Sequence, residues 1–285
     1  MRVAMDFLPR NLKRTVSPMS DLVIAGVGGQ GTVLASKLLA RAALLEGFAV
    51  RTAETIGMAQ RGGSVLGHVR ISRTSTFGGA RVGSHSELPL SPLIGVRSAD
   101  VVIGFEPGEA VRALPLLRAG GLVVTATKVM VPASVSSVTP GRRKRDPHAY
   151  QGTYDGSAEL AYLAQCRDQG YLGQLVLVDG DAACQALGSP KVLNVVLLGA
   201  ALATGRLDVS AQALLDALDA LVKPAFLELN KRALALGMES ASIRHGKEPP
   251  QTATQQSTWV SGNGDNPDSP APYAPTPTTP KEEQA

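Results

Sequence analysis

The residues whose types and spacing suit chemistry fall in two short stretches. In "DLVIAGVGGQG" an apolar strand runs into Gly26, Gly28 and Gly31 at GxGxxG spacing, with Gly29 and Gln30 completing the turn. Glycines let a backbone approach a pyrophosphate, and the N-terminus of a following helix aims unpaired N–H groups and a partial positive charge at it. Glu54 closes the second strand, where a dinucleotide binder places the carboxylate that holds the adenosine ribose. A tight strand-to-helix turn needs glycine whether or not anything binds, so a ligand turn and a structural turn stand side by side. The second stretch is "GMAQRGG". Gly62 and Gly63 after Arg61 allow a left-handed backbone nest beside a guanidinium, suited to an anion or a partner carboxylate, with Met58 and Gln60 on the same loop. A glycine turn that merely enters the next strand is the competing account.

Other titratable residues are less organised. His68 is the one histidine of four inside a motif; a hydrogen-bonded residue on a strand's polar face or at an interface competes with an acid–base role. Glu54 and Glu106, both at strand ends, suit either capping of backbone N–H groups or contact with a ligand or partner. No pair of His, Cys or carboxylates has metal-ligand spacing on one element, and no Ser-His-Asp set assembles. The two cysteines, Cys166 and Cys184, lie in expected helices without CxxC spacing, too few for an iron–sulfur cluster's usual four thiolates.

The elements that must position these residues begin like a Rossmann unit. "TVLASKLLARAALLEG" predicts a helix with Val33, Leu34, Leu38, Ala42 and Leu45 on one face, ended by Gly47. "FAVRTAE" predicts the second strand. A second crossover helix should follow, yet Gly57, Gly62 and Gly63 would each cost about 1 kcal/mol in a helix interior. The alternation of Val65, Gly67, Val69 and Ile71 with Leu66, His68 and Arg70 predicts a strand instead. Further on come the strand "ADVVIGFEP", a helix bent at Pro115, the strand "GLVVTATKVMVP", a long polar loop over 132–157, and then alternating helix, strand and helix. Ser189 and Pro190 cap a helix that is apolar on nearly every side and therefore buried, and two more helices end at Gly237.

Together "GVGGQG", "ETIGMAQRGGSV", "HVRI", "SPKVLNVVLLGAALATG" and "KPAFLELNKRALALG" resemble, in one colinear order over residues 20 to about 240, the gamma subunit or domain of the 2-oxoacid:ferredoxin oxidoreductases, and within it the small beta subunit of the indolepyruvate type. Members of that type often carry a His just before "GMAQRGG", where this chain has Ile56, which bears on the identity of the 2-oxoacid. The resemblance implies an α/β, Rossmann-like three-layer sandwich with a mostly parallel sheet and a non-Rossmann loop-strand insertion after the second strand. It implies a small subunit, inactive alone, that supports oxidative decarboxylation of a 2-oxoacid to an acyl-CoA. The partner would be a large alpha subunit carrying thiamine diphosphate and iron–sulfur clusters, with ferredoxin as acceptor. Coenzyme A is associated with the gamma domain of relatives, and its phosphates would fall at "GVGGQG" and Arg61. Two other classes share the glycine turn. A stand-alone NAD(P)-dependent dehydrogenase is weakened by the absent second Rossmann helix; an adenylating activator of ubiquitin-like carriers lacks its Asn/Arg-rich segment and zinc CxxC pairs.

Composition suits a folded α/β chain. The 285 residues are 44% hydrophobic and 18% charged, with only 4% aromatics, enough to bury a sizeable core. A net charge of +4 argues against a dedicated nucleic-acid binder. The basic run Arg142–Arg145 reads as a solvated loop or as a docking spot for an acidic partner such as ferredoxin. With no secretory signal and no apolar run of about 20 residues, a cytoplasmic, non-membrane protein is expected. Residues 1–19 read as an extension, with Met1 and Met19 both available as starts, 20–240 as the gamma-type domain, and 241–285 as a disordered Pro/Thr-rich tail.

Overall fold

Six strands form one sheet in the order β2-β3-β1-β4-β5-β6: β1 (Met19–Val27), β2 (Ala49–Ile56), β3 (Ser64–Ser72), β4 (Ala99–Gly104), β5 (Leu117–Ala126) and β6 (Leu172–Val178). The computed structural model describes residues 19–56, 63–72, 91–129 and 155–242. β1, β4, β5 and β6 pair in parallel, whereas β3 runs antiparallel to both of its neighbours. The mostly parallel sheet and the added strand are as expected. The added strand, however, does not flank the sheet: it is inserted between β1 and β2, which a standard doubly wound unit keeps adjacent.

The first helix, α1 (Thr32–Leu45), explains how this is accommodated. It crosses from β1 to β2 and packs on β3 between them. A Cβ at Gly67 of β3 would stand 2.2 Å from Ser36 Oγ of α1, so the bare backbone there is what lets the helix lie close. The buried side of α1 is Ala35, Leu38, Leu39, Ala42 and Ala43. Val33 and Leu34 are only half-buried and Leu45 is 45% exposed, a rotation from the face predicted by the sequence.

Alternation along the strands divides the core in two. Leu22, Ile24, Val69, Val101, Ile103, Leu122 and Val124 face α1 and the helices α4 (Gly180–Leu187), α5 (Leu193–Ala203), α6 (Ala211–Leu221) and α7 (Pro224–Ser242). Val23, Ala25, Val102 and Val123 face α2 (Pro107–Ala113) and α3 (Ser157–Asp168), giving the three layers. The helix before Pro115 stops at Ala113, and after one 3-10 turn at Leu114–Leu116 the chain is already in β5, earlier than the sequence suggested. Ser189 Oγ accepts the Lys191 N–H as the predicted cap, and α5 is buried along almost its whole length. α7 does not end at Gly237 but runs on to Ser242.

At the end of the sheet away from the glycine turn, Arg70 holds Asp21 through Nε and Nη2 at 2.9 and 3.1 Å. Asp100 accepts the Asp21 N–H at 2.8 Å and pairs with Arg118 at 2.5 Å. Burial raises the Asp100 carboxyl above its ordinary range, against the pull of these partners. Residues 1–18 and 243–285, with both proposed terminal segments almost entire, lie outside the described residues, as do Arg142–Arg145.

Candidate functional site

The glycine turn leaves the C-terminal end of β1 and enters α1, at the end of the sheet where ligands of open α/β folds gather. Gly31 is the helix N-cap at φ +89, and α1 has neither a side-chain cap nor an acidic residue in its first turn. Gly28 donates its N–H to the Gly63 carbonyl at 2.9 Å. That bond joins the two stretches singled out in the sequence, 35 positions apart. Met58, Gln60, Arg61 and Gly62 lie outside the described residues; Gly63 leads directly into β3 beside the turn.

Gln30 folds back instead of reaching outward. Its Oε1 accepts the Val27 N–H at 2.7 Å, and its Nε2 donates to Oε1 of the buried Glu106 at 2.6 Å. Gly26 makes this possible, because a Cβ there would lie 2.9 Å from the same Gln30 Oε1 and 2.7 Å from Thr32 Cγ2. Gly31 is equally confined: its Cβ would meet Asn194 Nδ2 at 2.6 Å, and that amide donates to the Gly31 carbonyl at 3.4 Å. Gly29, at φ +103, by contrast has no described atom within 4 Å of where its Cβ would stand. Alongside, the Ser64 hydroxyl donates to Oε2 of the buried Glu109 at 2.5 Å, and Arg112 pairs with the same carboxylate.

A cleft of about 600 Å³ opens beside this turn, lined by Gly28, Gly29, Gly31, Thr32, Val33 and Leu34, with Lys37, Val65 and Leu221 completing it. Lys37 is exposed and has no ion pair among the described residues. The sequence reading passed over it, although Lys37 lies one helical turn beyond Val33, and that i,i+4 spacing puts it on the same side as the helix start. Asn194 and Leu221 carried no local signal; they reach the turn through the packing of α5 and α6.

The remaining candidates sit elsewhere. Glu54 is exposed on β2, paired with Gly67, and β3 separates it from β1, so two strand spacings, about 10 Å, lie between its strand and the one bearing the turn. His68 is buried on β3, where its Nδ1 accepts the Ile94 N–H at 3.3 Å and burial lowers its pKa below 6.5. This is the hydrogen-bonded histidine of the plainer account. Glu106 does not cap α2 with its side chain. Burial pushes both thiols up, Cys166 in α3 and Cys184 in α4, and no group of three or more possible metal ligands occurs among the described residues.

These features define a Rossmann-like α/β unit in which the Gln30–Glu106 hydrogen bond bridges the turn after β1 to the end of β4, while the glycine turn borders a cleft against α1. The stand-alone dehydrogenase is disfavoured by that geometry. Residues 21–240 match the pyruvate ferredoxin/flavodoxin oxidoreductase family, and the chain belongs to it. It is 32% identical to indolepyruvate oxidoreductase subunit IorB of Thermococcus kodakarensis over 78% of this chain and 95% of that one. Its fold is similar to the gamma subunit of a keto/oxoacid ferredoxin oxidoreductase from Geobacter sulfurreducens, at a TM-score of 0.52 and 22% identity, covering 79% of this chain and 99% of that one. It is also similar to part of the 2-oxoglutarate:ferredoxin oxidoreductase of Magnetococcus marinus, solved with 2-oxoglutarate, coenzyme A and succinyl-CoA, at a TM-score of 0.51 and 16% identity, covering 84% of this chain and 33% of that one. The gamma-type resemblance read from the sequence is borne out, and the chain is a subunit of a 2-oxoacid:ferredoxin oxidoreductase.

Proposed function

We propose that this chain is the small subunit of a thiamine-diphosphate-dependent enzyme that oxidatively decarboxylates indolepyruvate or a related aryl or branched 2-oxoacid to its acyl-CoA, with ferredoxin as acceptor. Thiamine diphosphate and the iron–sulfur clusters belong to a large alpha subunit, since two cysteines cannot supply four thiolates. The chain's own part is to bind coenzyme A at the cleft beside the glycine turn. The donor chemistry there fits a phosphate-bearing ligand: an uncapped helix N-terminus, the open backbone of Gly29 and the ammonium of Lys37 stand on one side, and Val33, Leu34, Val65 and Leu221 offer an apolar wall for the rest of the molecule. The observation that carries the reading is the Gly28–Gly63 hydrogen bond, which ties Gly63, the last residue of "GMAQRGG", to the glycine turn that lines the cleft. When bound, coenzyme A supplies the thiol that accepts the acyl group. Lys37 and the turn would neutralise and orient its phosphates, and Arg61 would serve either the ligand or the partner subunit. A cytoplasmic enzyme accords with the absence, among the described residues, of any helix long and apolar enough to cross a membrane.

The test is co-expression with the large subunit. The chain alone should be colourless and catalytically silent, and the complex brown and able to reduce ferredoxin or a viologen dye with an aryl or branched 2-oxoacid and coenzyme A. Lys37→Ala and Arg61→Ala should both leave circular dichroism native, Lys37→Ala weakening coenzyme A binding and Arg61→Ala weakening coenzyme A binding or subunit association by about 2 kcal/mol or more, the scale of a charge-assisted contact. Turnover by the isolated chain, or unchanged coenzyme A affinity in the assembled Lys37→Ala complex, would refute the reading.

A further inference from the structure

One side chain, Gln30, bonds both within the glycine turn and across to Glu106 beyond β4. Gln30 spends its acceptor on Val27 and its donor on Glu106, at 2.7 and 2.6 Å, and its backbone N–H goes to the Val27 carbonyl at 3.1 Å. Glu106 stands at the start of α2 on the opposite face of the sheet from α1, and is 6% exposed. The bond therefore ties the turn to a fixed point on the far side of the sheet. A carboxylate acceptor makes this a charge-assisted bond, stronger than a neutral one. With the Val27, Gly28 and Gln30 amides all engaged internally, the turn residues that line the cleft with amides still to spend are Gly29, Gly31 and Thr32, the last opening α1.

From this we infer that Gln30 is a positioning residue for coenzyme A: it touches no ligand itself, but by clamping the turn to Glu106 it holds the Gly29–Thr32 backbone open toward the cleft. The inference rests on the reading that the cleft takes coenzyme A. It assigns a role to Gln30 opposite to that of an outward-facing motif residue, and it makes Glu106 a second positioning residue outside the glycine motif. Gly26 belongs to the same device, because any side chain there would displace the carboxamide.

The experiment uses the assembled two-subunit enzyme, with coenzyme A binding followed by calorimetry and turnover followed by dye reduction. Gln30→Met keeps the bulk and removes both side-chain bonds; it should weaken coenzyme A binding about tenfold and raise KM for coenzyme A by the same factor, with a smaller fall in kcat. Glu106→Ala should behave alike, whereas Glu106→Gln, which still offers an oxygen to the Gln30 amide, should stay within about threefold of the parent. A purely structural role would lower the melting temperature without this split, and would not be rescued by Glu106→Gln. If Lys37→Ala weakens binding but Gln30→Met does not, the cleft reading stands and the positioning role is overturned. If neither moves coenzyme A affinity, the cleft reading itself falls. Should Gln30→Met fail to assemble, the Glu106→Ala and Glu106→Gln pair decides; failure of both to assemble makes the clamp structural and overturns the proposal.

Discussion

His68 shows a motif residue engaged in the packing of its own chain. Its neighbours in sequence, Gly67 and Val69, serve the α1 side of the sheet, while the imidazole lies on the other side and fixes the 91–98 segment through the Ile94 N–H. Arg70, two residues on, holds the same segment through the Ser91 carbonyl at 3.0 Å. A buried base with a lowered pKa takes its proton in the folded chain only at a pH below that of the unfolded chain. The sign follows: its contribution to stability is complete above about pH 6.5, the unfolded value, and is lost as pH falls from there through the lower folded value. The urea midpoint should therefore drop between pH 7.5 and pH 5.5, and His68→Gln, which retains an acceptor for Ile94, should flatten that drop. An equal drop in the variant would assign the pH dependence to other groups.

At the scale of elements, α5 and α7 cross backbone to backbone. A Cβ at Gly237 would lie 2.0 Å from the Val196 carbonyl oxygen, and one at Gly199 would lie 2.2 Å from that of Leu234. Glycine at position 237 resembles a helix terminator in the sequence, yet it sits inside α7 because the partner helix occupies the space of its side chain. The contacting atoms are main chain and cannot rotate away. Gly237→Ala should cost about 2 kcal/mol or more, the range of an overpacked core, and lower Tm by roughly 4 to 8 °C in thermal unfolding. A change within 1 °C would mean that the helices slide apart freely.

On the scale of the whole molecule, the described residues belong to a single compact unit, Met1–Lys247. We propose that the Pro- and Thr-rich segment beyond it adds nothing to folding, since its few apolar residues cannot offset the entropy of ordering it. Deleting residues 248–285 should leave Tm and association with the large subunit unchanged within about 1 °C and about twofold in Kd. A fall of several degrees on deletion would show that the segment docks.

The strands, the capped and buried α5, and the departure from the Rossmann path after β2 were legible in the sequence. Period-2 alternation, a Ser-Pro helix start and glycines unsuited to a helix are local signals. The family was legible too, because five motifs in one order constrain far more than any one of them. The position of β3 was not: alternation identifies a strand but says nothing of its neighbours, and only the pairing of β3 with both β1 and β2 moved Glu54 away from the turn. The inward bonds of Gln30 were not legible for the same reason. A side chain's direction depends on what lies 76 residues away at Glu106, and a cleft shared by Gly29, Lys37, Val65 and Leu221 exists only once three separate elements are packed together.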